Sequence, residues 1–377
     1  MKIAIVCYPT FGGSGVIATE LGMSLAKKGH IIHFISYKRP VRLDLDDENI
    51  FFHEVHVPKY PLFHYQPYEL ALSSMLVELV KLYQIDLLHV HYAIPHAYAA
   101  SMAKHMLLEQ GIKIPLVTTL HGSDITLVGS HPFYKPAVTY SINNSDIITT
   151  VSKSLQKDTF SFFNIHKEVR IIPNFINVSY YNSIKIDCKR NDYASDVEMI
   201  ISHVSNFRPV KRVLDVIESF NKISKIIPSK LMMIGDGPDK TKAEKLAYEY
   251  GLLDKVKFLG KTQEVAEILC FSDLMILPSQ TESFGLAALE AMISSTPVIS
   301  TNSGGLPELN IHGKTGFLVE IGDIDAISKY SVKILSDKKA LIKMKKEAYL
   351  HSIKYDINLV TPLYEKAYRR ALDMFTS

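Results

Sequence analysis

The sequence predicts an α/β protein with two domains, each a doubly wound parallel sheet. Short apolar runs alternate with helical patterns, which is typical of β-α-β units that build such a sheet. The alternation stops over the polar, irregular residues 177–197 and restarts at 198. A chain of 377 residues is also long enough for two hydrophobic cores. We therefore expect two Rossmann-like domains.

The first predicted domain covers residues 1–173. It opens with an apolar strand over 2–7, followed by a helical pattern over 15–28 that Gly29 closes, because glycine suits the end of a helix. The same alternation then continues to the end of the domain. Its further predicted elements are strand 31–36, helix 68–83, strand 86–90, helix 97–109 and strands 115–119, 147–151 and 169–172.

The second predicted domain covers residues 174–355, beginning near Pro173-Asn174. A Lys-rich helical stretch over 323–350 ends it, and the tail 356–377 holds a last helix over 360–374. The elements before that stretch are strand 198–203, helix 211–226, strand 230–234, helix 239–250, strand 256–259, helix 263–270, strand 274–277, helix 286–293 and strand 297–300.

Composition excludes several classes of protein. Hydrophobic residues make up 47% and charged residues 21%, which argues against disorder, and a formal charge of +3 is too small to indicate nucleic-acid binding. Pro9 and Gly12 interrupt the apolar start, as in a strand rather than a signal peptide, and no apolar run reaches the roughly 18 residues of a membrane span. The three cysteines are far apart and lack C-x-x-C spacing, which indicates a reducing compartment and no structural zinc. We expect a cytoplasmic protein.

The most informative segment is 281–292. Glu282 and Glu290 are separated by seven residues, with a Phe284-Gly285 turn between an apolar strand and an Ala/Leu-rich helix. Free N–H groups at the positive end of that helix favour an anion. A site that holds phosphate oxygens and offers two carboxylates to hydroxyl groups would suit a sugar nucleotide. The alternative is one exposed loop Glu and one solvated helix Glu.

A glycine-rich loop, residues 12–15, precedes the first helix, and residues 13–18 match G-x-G-x-x-A. We favour a loop whose N–H groups approach a bound anion at the helix N-terminus. One alternative is a turn that needs glycine only for its backbone geometry. Another is an NADP site with Lys38 and Arg39 on the 2′-phosphate. The glycines, however, do not immediately follow the strand, and the second strand ends without an acidic residue.

Histidines follow two strands of the first domain. His89 and His91 share one strand face by the period-two rule, which would suit a metal pair. No carboxylate or cysteine nearby completes such a site, so we favour cleft or core histidines. His121 and Asp124 follow the next strand, where they could hydrogen-bond a sugar; the alternative is an Asx-type turn.

Basic residues cluster after the first strand of the second domain. Arg208, Lys211 and Arg212 stand at a predicted helix start, where cations oppose the helix dipole unless a bound polyanion compensates them. The alternative is a solvated basic corner. The turn 235–238 and the strand end at Lys261 are weaker signals. A basic run over 338–346 indicates a solvated helix face, with a membrane-surface patch as the alternative.

Together these motifs resemble the GT4 family of retaining glycosyltransferases, which have the GT-B fold. The resemblance spans nearly the whole chain and rests on the loop 12–15, Arg208 with Lys211, the turn 235–238 and the Glu282/Glu290 element. It implies two Rossmann-like domains that face a cleft, with residues 356–377 returning to the first domain. It also implies catalysis without a metal or cofactor, because the nucleotide sugar is a substrate.

Within that family, segments 7–15, 91–97 and 121–126 resemble enzymes that transfer N-acetylglucosamine from UDP-N-acetylglucosamine (UDP-GlcNAc) to the hydroxyl of L-malate, an early step of bacillithiol biosynthesis. One alternative is a GT4 enzyme that acts on another acceptor, such as a membrane lipid; a less favoured one is an NADP-dependent oxidoreductase. We expect no nucleic-acid partner and no stable membrane association. The sequence leaves open whether the chain forms a homo-oligomer.

The resemblance also implies a role for each matching residue. The implied catalytic residues are His121, Arg208, Lys211 and Glu282. The implied donor-binding residues are Gly15, Asn206, Gly235, Gly237, Lys261, Phe284, Gly285, Leu286 and Glu290. The implied acceptor-binding residues are Gly13, Ser14, Tyr92 and His121. In this family the departing phosphate is usually described as taking the acceptor's proton, so no protein nucleophile is required.

Overall fold

The computed structural model describes residues 1–10, 13–59, 61–62, 64–184, 190–262 and 265–376. Contacts divide the chain into two compact units. The first unit is Met1–Phe175 with Ile357–Ser377, and the second unit is Ile176–Asp356. The sequence placed the joints between them at 173–174 and 355–356.

The first unit is a seven-stranded parallel sheet with helices between its strands, in the strand order β3-β2-β1-β4-β5-β6-β7. Its central strands, 87–91 and 116–120, are buried along their whole length, including their polar residues His89, His91, Thr118 and Thr119. Its elements are β1 (Lys2–Val6), α1 (Ser14–Ala26), β2 (Ile31–Ser36), β3 (Ile50–Glu54), α2 (Tyr68–Tyr83), β4 (Leu87–His91), α3 (Tyr98–Glu109), β5 (Leu116–Leu120), α4 (Lys135–Asn144), β6 (Ile147–Thr150), α5 (Lys153–Phe162) and β7 (Val169–Ile171).

The second unit repeats this build with a six-stranded parallel sheet, in the order β10-β9-β8-β11-β12-β13. One core cluster packs α7, α8, α12 and α13 against the sheet. Its elements are α6 (Val178–Ile184), β8 (Met199–Val204), α7 (Val213–Ile223), β9 (Ser229–Ile234), α8 (Lys240–Glu249), β10 (Val256–Gly260), α9 (Val265–Cys270), β11 (Leu274–Leu277), α10 (Leu286–Ile293), β12 (Val298–Thr301), α11 (Leu306–Leu309), β13 (Gly316–Val319), α12 (Ile324–Ser336) and α13 (Lys338–Ser352).

The last helix, α14 (Ile357–Thr376), belongs to the first unit. Thr361 hydrogen-bonds Ser24 of α1 at 3.0 Å, and Glu365 pairs with Lys28 at 2.7 Å. The buried hydroxyl of Tyr368 lies 2.8 Å from Nδ1 of His89 on β4. Polar contacts and buried tyrosine rings therefore hold this helix to both α1 and the central sheet.

Several elements differ from the predicted ones for local reasons. Strand β3 and helices α4 and α5 were not predicted, because β3 is an edge strand in which only Ile50 is buried and each helix buries only two or three residues. The supposedly irregular stretch 177–197 contains α6. The predicted helical stretch 323–350 is two helices. They break at Asp337, whose carboxylate caps α13 by accepting from the N–H groups of Lys339 and Ala340.

Candidate active site

The site of the second unit lies at the point where its strand order reverses, between β8 and β11. Ligands of open α/β sheets bind outside the carboxyl ends of the strands at such a point. Lys211 follows β8 and Glu282 follows β11, and Nζ of the lysine lies 2.5 Å from Oε1 of the glutamate. Ser279 donates to the same oxygen at 3.0 Å. Both charged side chains are 15% exposed, so this is a largely desolvated ion pair.

The sequence had suggested that the basic residues stand at the start of a helix, but most of them precede it. Pro209–Lys211 forms a 3₁₀ turn, and Arg212, with φ at 51°, separates this turn from α7. Nε of Arg212 lies 2.6 Å from Oδ2 of Asp215, so its charge is compensated. Arg208 is exposed and has no ion-pair partner among the residues that the structure describes. Of these three cations, Arg208 is therefore the one left uncompensated for a ligand.

A buried histidine, His203, links β8 to β11 beneath these loops by hydrogen bonds. Nδ1 of His203 lies 2.8 Å from the carbonyl oxygen of Ile276, and Nε2 lies 2.8 Å from Oγ of Ser205. Burial lowers the pKa of His203 to about 4, opposed by the bond to Ile276 and assisted by the charge of Lys211. The ring is thus neutral at pH 7, with Nδ1–H donating across to β11. Sequence reasoning missed this residue and Ser279, since an isolated His and an isolated Ser carry no motif.

The glycines after β9 allow two loops to approach closely. A Cβ on Gly235 would lie 1.7 Å from the carbonyl oxygen of Ser205, and one on Gly237 would lie 2.0 Å from that of Asn206. Asn206, and Lys261 after β10, are exposed in the same group of loops. The two glycines are therefore required by backbone packing, whatever ligand contacts they also make.

The α10 end of the site has the predicted turn. Gly285 precedes the helix with φ at 96°, and no side chain caps the helix, so the first-turn amides, which begin at Leu286, are available to an anion. Phe284 is buried, with its ring centroid 5.6 Å from that of Tyr355. Glu290 lies half-buried on α10.

A glycine pair that sequence reasoning missed supports this turn. The amide of Gly305 donates to the carbonyl oxygen of Glu282 at 2.8 Å. A Cβ on Gly304 would lie 2.0 Å from that same oxygen. The sequence feature that could have revealed this contact is a glycine pair, Gly304-Gly305, shortly after the predicted strand 297–300.

The first unit has a matching arrangement where its strand order reverses, between β1 and β4. Ser14, after β1, donates from Oγ to the hydroxyl of Tyr92, after β4, at 2.9 Å. Gly13, with φ at 61°, precedes α1, which has neither a side-chain cap nor an acidic first turn. A Cβ on Gly15 would lie 2.6 Å from the carbonyl oxygen of Tyr8. Gly12, the first residue of the predicted loop, lies outside the described residues.

Histidines gather at the ends of β4 and β5. Nε2 of His89 lies 2.8 Å from Oγ1 of Thr119, and Nδ1 of His91 lies 2.8 Å from Nε2 of His121. Burial lowers the pKa of His89 and of His121 to about 3 and that of His96 to about 4. Within the described parts of the chain, no group of three His, Cys, Asp or Glu side chains could hold a metal ion. These rings are hydrogen-bonded neutral imidazoles.

The carboxylate of Asp124 is hydrogen-bonded to backbone amides of two loops and is therefore not free to bind a sugar. Its Oδ1 accepts from the amides of Gly122 at 2.8 Å and His121 at 3.2 Å, and its Oδ2 accepts from the amide of Ala93 at 2.9 Å. Burial raises the pKa of this carboxyl, and these amides act against the rise. The Asx-type alternative therefore describes Asp124 better, and the residue fixes the loop that carries His121.

A pocket of about 480 Å³ opens beside these loops, within the first unit. Tyrosine rings dominate its wall, together with the carboxylates of Glu69 and Asp124. No cation is among its described lining residues. Its tyrosines are Tyr8, Tyr92, Tyr98 and Tyr134.

The basic run 338–346 lies on α13, whose apolar side is already occupied. Leu341, Met344 and Ala348 are buried, and Lys345 pairs with Asp273 at 2.8 Å. This matches a solvated helix face rather than a membrane-surface patch. None of the helices in the described ranges is long and apolar enough to cross a bilayer.

Two family models match the chain in succession. "Glycosyltransferase Family 4" covers residues 11–180, and "Glycosyl transferases group 1" covers residues 187–351. A relative from Bacillus anthracis, N-acetyl-alpha-D-glucosaminyl L-malate synthase, is 45% identical over 340 residues, or 90% of this chain and 88% of the relative. An uncharacterised glycosyltransferase of Methanocaldococcus jannaschii is 28% identical, over 89% of this chain and 90% of its own.

Solved structures share the architecture at lower identity. Sucrose-phosphate synthase from Thermosynechococcus elongatus superposes with a TM-score of 0.80 at 20% identity, covering 99% of this chain and all of that one. Anabaena HepE in complex with UDP and glucose has a TM-score of 0.81 at 17% identity, over 97% of this chain and 98% of its own. The chain therefore belongs to glycosyltransferase family 4 and is a glycosyltransferase with the GT-B fold.

Proposed function

We propose that this glycosyltransferase transfers N-acetylglucosamine from UDP-GlcNAc to the hydroxyl of L-malate with retention of configuration, in the cytoplasm, as an early step of bacillithiol biosynthesis. The observation that carries the proposal is the 45% identity, over 90% of the chain, to the Bacillus anthracis relative whose name states that product. Family membership sets aside the oxidoreductase alternative. The apolar side of α13 packs into the core of the second unit, so the basic run 338–346 no longer favours a lipid acceptor.

The second unit supports a role in donor binding. Departure of UDP develops negative charge on the phosphate, and fixed cations with a helix N-terminus stabilise such charge. Arg208 offers an uncompensated guanidinium. Lys211 offers an ammonium already fixed by Glu282, so little reorganisation accompanies binding. We assign the diphosphate to Arg208, Lys211 and the first-turn amides of α10, the ribose to Glu290, and the sugar to Glu282 and His121.

The first unit supports a role in acceptor binding. The tyrosine-lined pocket has two carboxylates and no cation among its described lining residues, so it would repel a dicarboxylate. The uncapped amides at the start of α1 favour a carboxylate instead. We therefore assign one malate carboxylate to Gly13 and Ser14, beside the hydroxyl of Tyr92.

The carboxylates near the strand ends support retention without a protein nucleophile. Glu282 is ion-paired with Lys211, and Asp124 accepts three backbone amides. Neither is poised as a nucleophile. We propose that the departing phosphate oxygen accepts the proton of the malate hydroxyl as that hydroxyl attacks the same face of the sugar. The anomeric configuration of the product, read by NMR, tests this step.

An acceptor panel tests the proposal. With UDP-GlcNAc as donor, L-malate should release UDP fastest. Glycerate, with one carboxylate, should react poorly, and succinate, without a hydroxyl, should at most inhibit. D-malate tests stereochemistry with the same charges. Equal rates with glycerate and L-malate would show that the acceptor is not selected as a dicarboxylate, even though the chain is a glycosyltransferase.

Turnover should persist in EDTA. Arg208 and Lys211 supply beside the proposed diphosphate the positive charge that a divalent ion supplies in other transferases. The measurement is UDP release in excess EDTA against buffer with added magnesium or manganese. Activity that disappears with EDTA and returns with either ion would contradict the metal-free proposal.

A further inference from the structure

His91 and His121 form a stacked pair on neighbouring parallel strands. His91 ends β4, and His121 follows β5. Their ring centroids are 5.1 Å apart with an interplanar angle of 21°, and Nδ1 of His91 lies 2.8 Å from Nε2 of His121. One of these two nitrogens must donate and the other accept.

The surroundings of His91 decide which nitrogen donates. Burial and the neighbouring histidines lower the pKa of His91 well below its ordinary value, and burial lowers that of His121 to about 3, so both rings are neutral. Nε2 of His91 is buried and has no partner in the described part of the chain. If Nε2 of His121 donated, this enclosed nitrogen of His91 would carry an orphaned N–H. A bare acceptor there is the less costly arrangement.

The tautomer of His91 determines whether Nδ1 of His121 carries a proton. With Nδ1–H of His91 donating, Nε2 of His121 accepts, so the proton of His121 resides on its Nδ1. Nδ1 of His121 has no hydrogen-bond partner in the described ranges, and the residue is half-exposed. This nitrogen is also absent from the enclosed unpartnered atoms, so a neutral N–H is available there as a donor.

His91 itself is firmly held. Its carbonyl oxygen accepts from Nδ1 of His96 at 2.6 Å. Its ring centroid lies 4.5 Å from that of His89, which is hydrogen-bonded to Thr119 on one side and Tyr368 on the other. The orientation of the pair is thus built into β4, β5 and α14.

We propose that His91 is a positioning residue that locks His121 in the Nδ1–H tautomer, so that His121 presents a neutral hydrogen-bond donor to an oxygen of the bound sugar. Its role in turnover rests on the proposed function, in which His121 contacts the donor sugar. The lock itself is a property of the protein alone.

The first measurement is the tautomer of His121, read by ¹H–¹⁵N correlation of histidine-labelled full-length protein without substrate and assigned with a His121→Gln variant. We expect Nδ1–H. His91→Asn, whose amide can replace Nδ1–H as donor to Nε2 of His121, should keep that tautomer. His91→Leu, without a donor, should give mixed tautomers or Nε2–H. Wild-type protein with His121 as Nε2–H would overturn the proposal.

The second measurement is kcat and KM for UDP-GlcNAc in the same variants. His91→Leu should lower kcat by about 10- to 100-fold, with a smaller change in KM, and His91→Asn should recover most of the loss. Unchanged kcat in a folded His91→Leu, or equal losses in both variants, would overturn the positioning role. Failure of L-malate as acceptor would refute the proposed function. The measured tautomer of His121 would still show whether His91 fixes it.

The chain offers a matched control in a second stacked histidine pair of the same sheet. His33 and His53, on β2 and β3, have Nδ1 and Nε2 2.9 Å apart and an interplanar angle of 14°. His33→Leu should leave the tautomer of His121 and kcat unchanged. A loss equal to that of His91→Leu would mean that breaking any such pair acts through general destabilisation, which would contradict a specific role of His91.

Discussion

Replacing Lys211 by alanine should lower kcat by roughly 30- to 1,000-fold, which corresponds to about 2–4 kcal/mol of transition-state stabilisation. The ammonium is fixed 2.5 Å from Glu282 at the reversal of the strand order, where a departing phosphate would gain charge. Because this interaction strengthens as the bond breaks, kcat should fall and not only KM rise. Steady-state kinetics with UDP-GlcNAc measure it, and near-normal turnover would refute the role.

The ion pair demands a control, because removing Lys211 leaves Glu282 partly buried and unpaired. The double variant Lys211→Ala/Glu282→Gln removes that unpaired charge. Because Glu282 is itself assigned to the sugar, the reference is Glu282→Gln alone. If Lys211 serves the phosphate, the double variant is much slower than that single variant; if Lys211 only neutralises Glu282, the two turn over equally. Lys222→Ala removes an exposed ion pair with Asp325 and should leave kcat unchanged.

Arg208→Ala should cause a loss of the same order without this complication. Among the described residues Arg208 has no ion-pair partner, so its removal strands no charge and should leave the melting temperature unchanged. Kinetics and thermal unfolding of the one variant therefore separate function from stability. Normal kcat with an unchanged melting temperature would exclude Arg208 from the diphosphate site.

The sequence predicted the buried parts of the fold best. Strands such as β4 and β5 are enclosed on both faces, three of the five residues in each are apolar, and their spans were predicted to within a residue or two. Edge strand β3 and helix α5, with few buried side chains, left too weak a periodic signal. The break at Asp337 required knowledge of a cap, which a helical pattern alone does not reveal.

For the candidate site, the sequence predicted which residues matter better than how they pair. The glycine turns and the Glu282/Glu290 element follow strands and could be found locally. The Lys211–Glu282 pair spans 71 residues and the Ser14–Tyr92 pair spans 78, because each joins loops after strands that are neighbours only in the folded sheet. Partners such as Asp215, which compensates Arg212, depend on the turn at Arg212 and could not be predicted from charge spacing alone.

The two units share one construction principle. In the first unit the loops after β1 and β4 meet, and in the second unit the loops after β8 and β11 meet. One side-chain pair bridges the two loops in each unit. The pair is neutral in the first unit and ionic in the second. This difference matches the proposed division of labour, in which backbone amides take a carboxylate and fixed cations take a diphosphate.

Acidification should destabilise the protein steeply below pH 6.5. Six histidines have the most strongly lowered pKa values and are neutral in the folded chain, because burial lowers the pKa of His89 and His121 to about 3 and that of His33, His96 and His203 to about 4, with His91 shifted in the same direction. In the unfolded chain each has an ordinary pKa near 6.5. Unfolding between pH 6.5 and about 4 therefore takes up protons, so stability that is full above pH 6.5 is lost as the pH falls.

The expected size makes this effect decisive. Each such histidine costs about 1.4 kcal/mol per pH unit once its unfolded form is protonated, so six cost roughly 8 kcal/mol per unit, comparable with a typical stability of about 5–15 kcal/mol. Burial raises the pKa values of Glu20, Asp124 and Asp158, which opposes the trend, but these are three carboxyls against six imidazoles.

Urea unfolding at half-unit intervals from pH 8 to pH 5, followed by circular dichroism, measures the dependence, and its slope gives the number of protons taken up. His203→Asn, whose amide can retain one of the two hydrogen bonds, should reduce the uptake by about one proton near pH 5. The exposed His105 provides the control, because His105→Asn should leave the slope unchanged. A stability that stays flat from pH 7 to pH 5 would show that these rings are protonated in the folded state. The neutral donor assigned to His121 would then fail with them, since an imidazolium presents N–H on both nitrogens and needs no partner to choose between them.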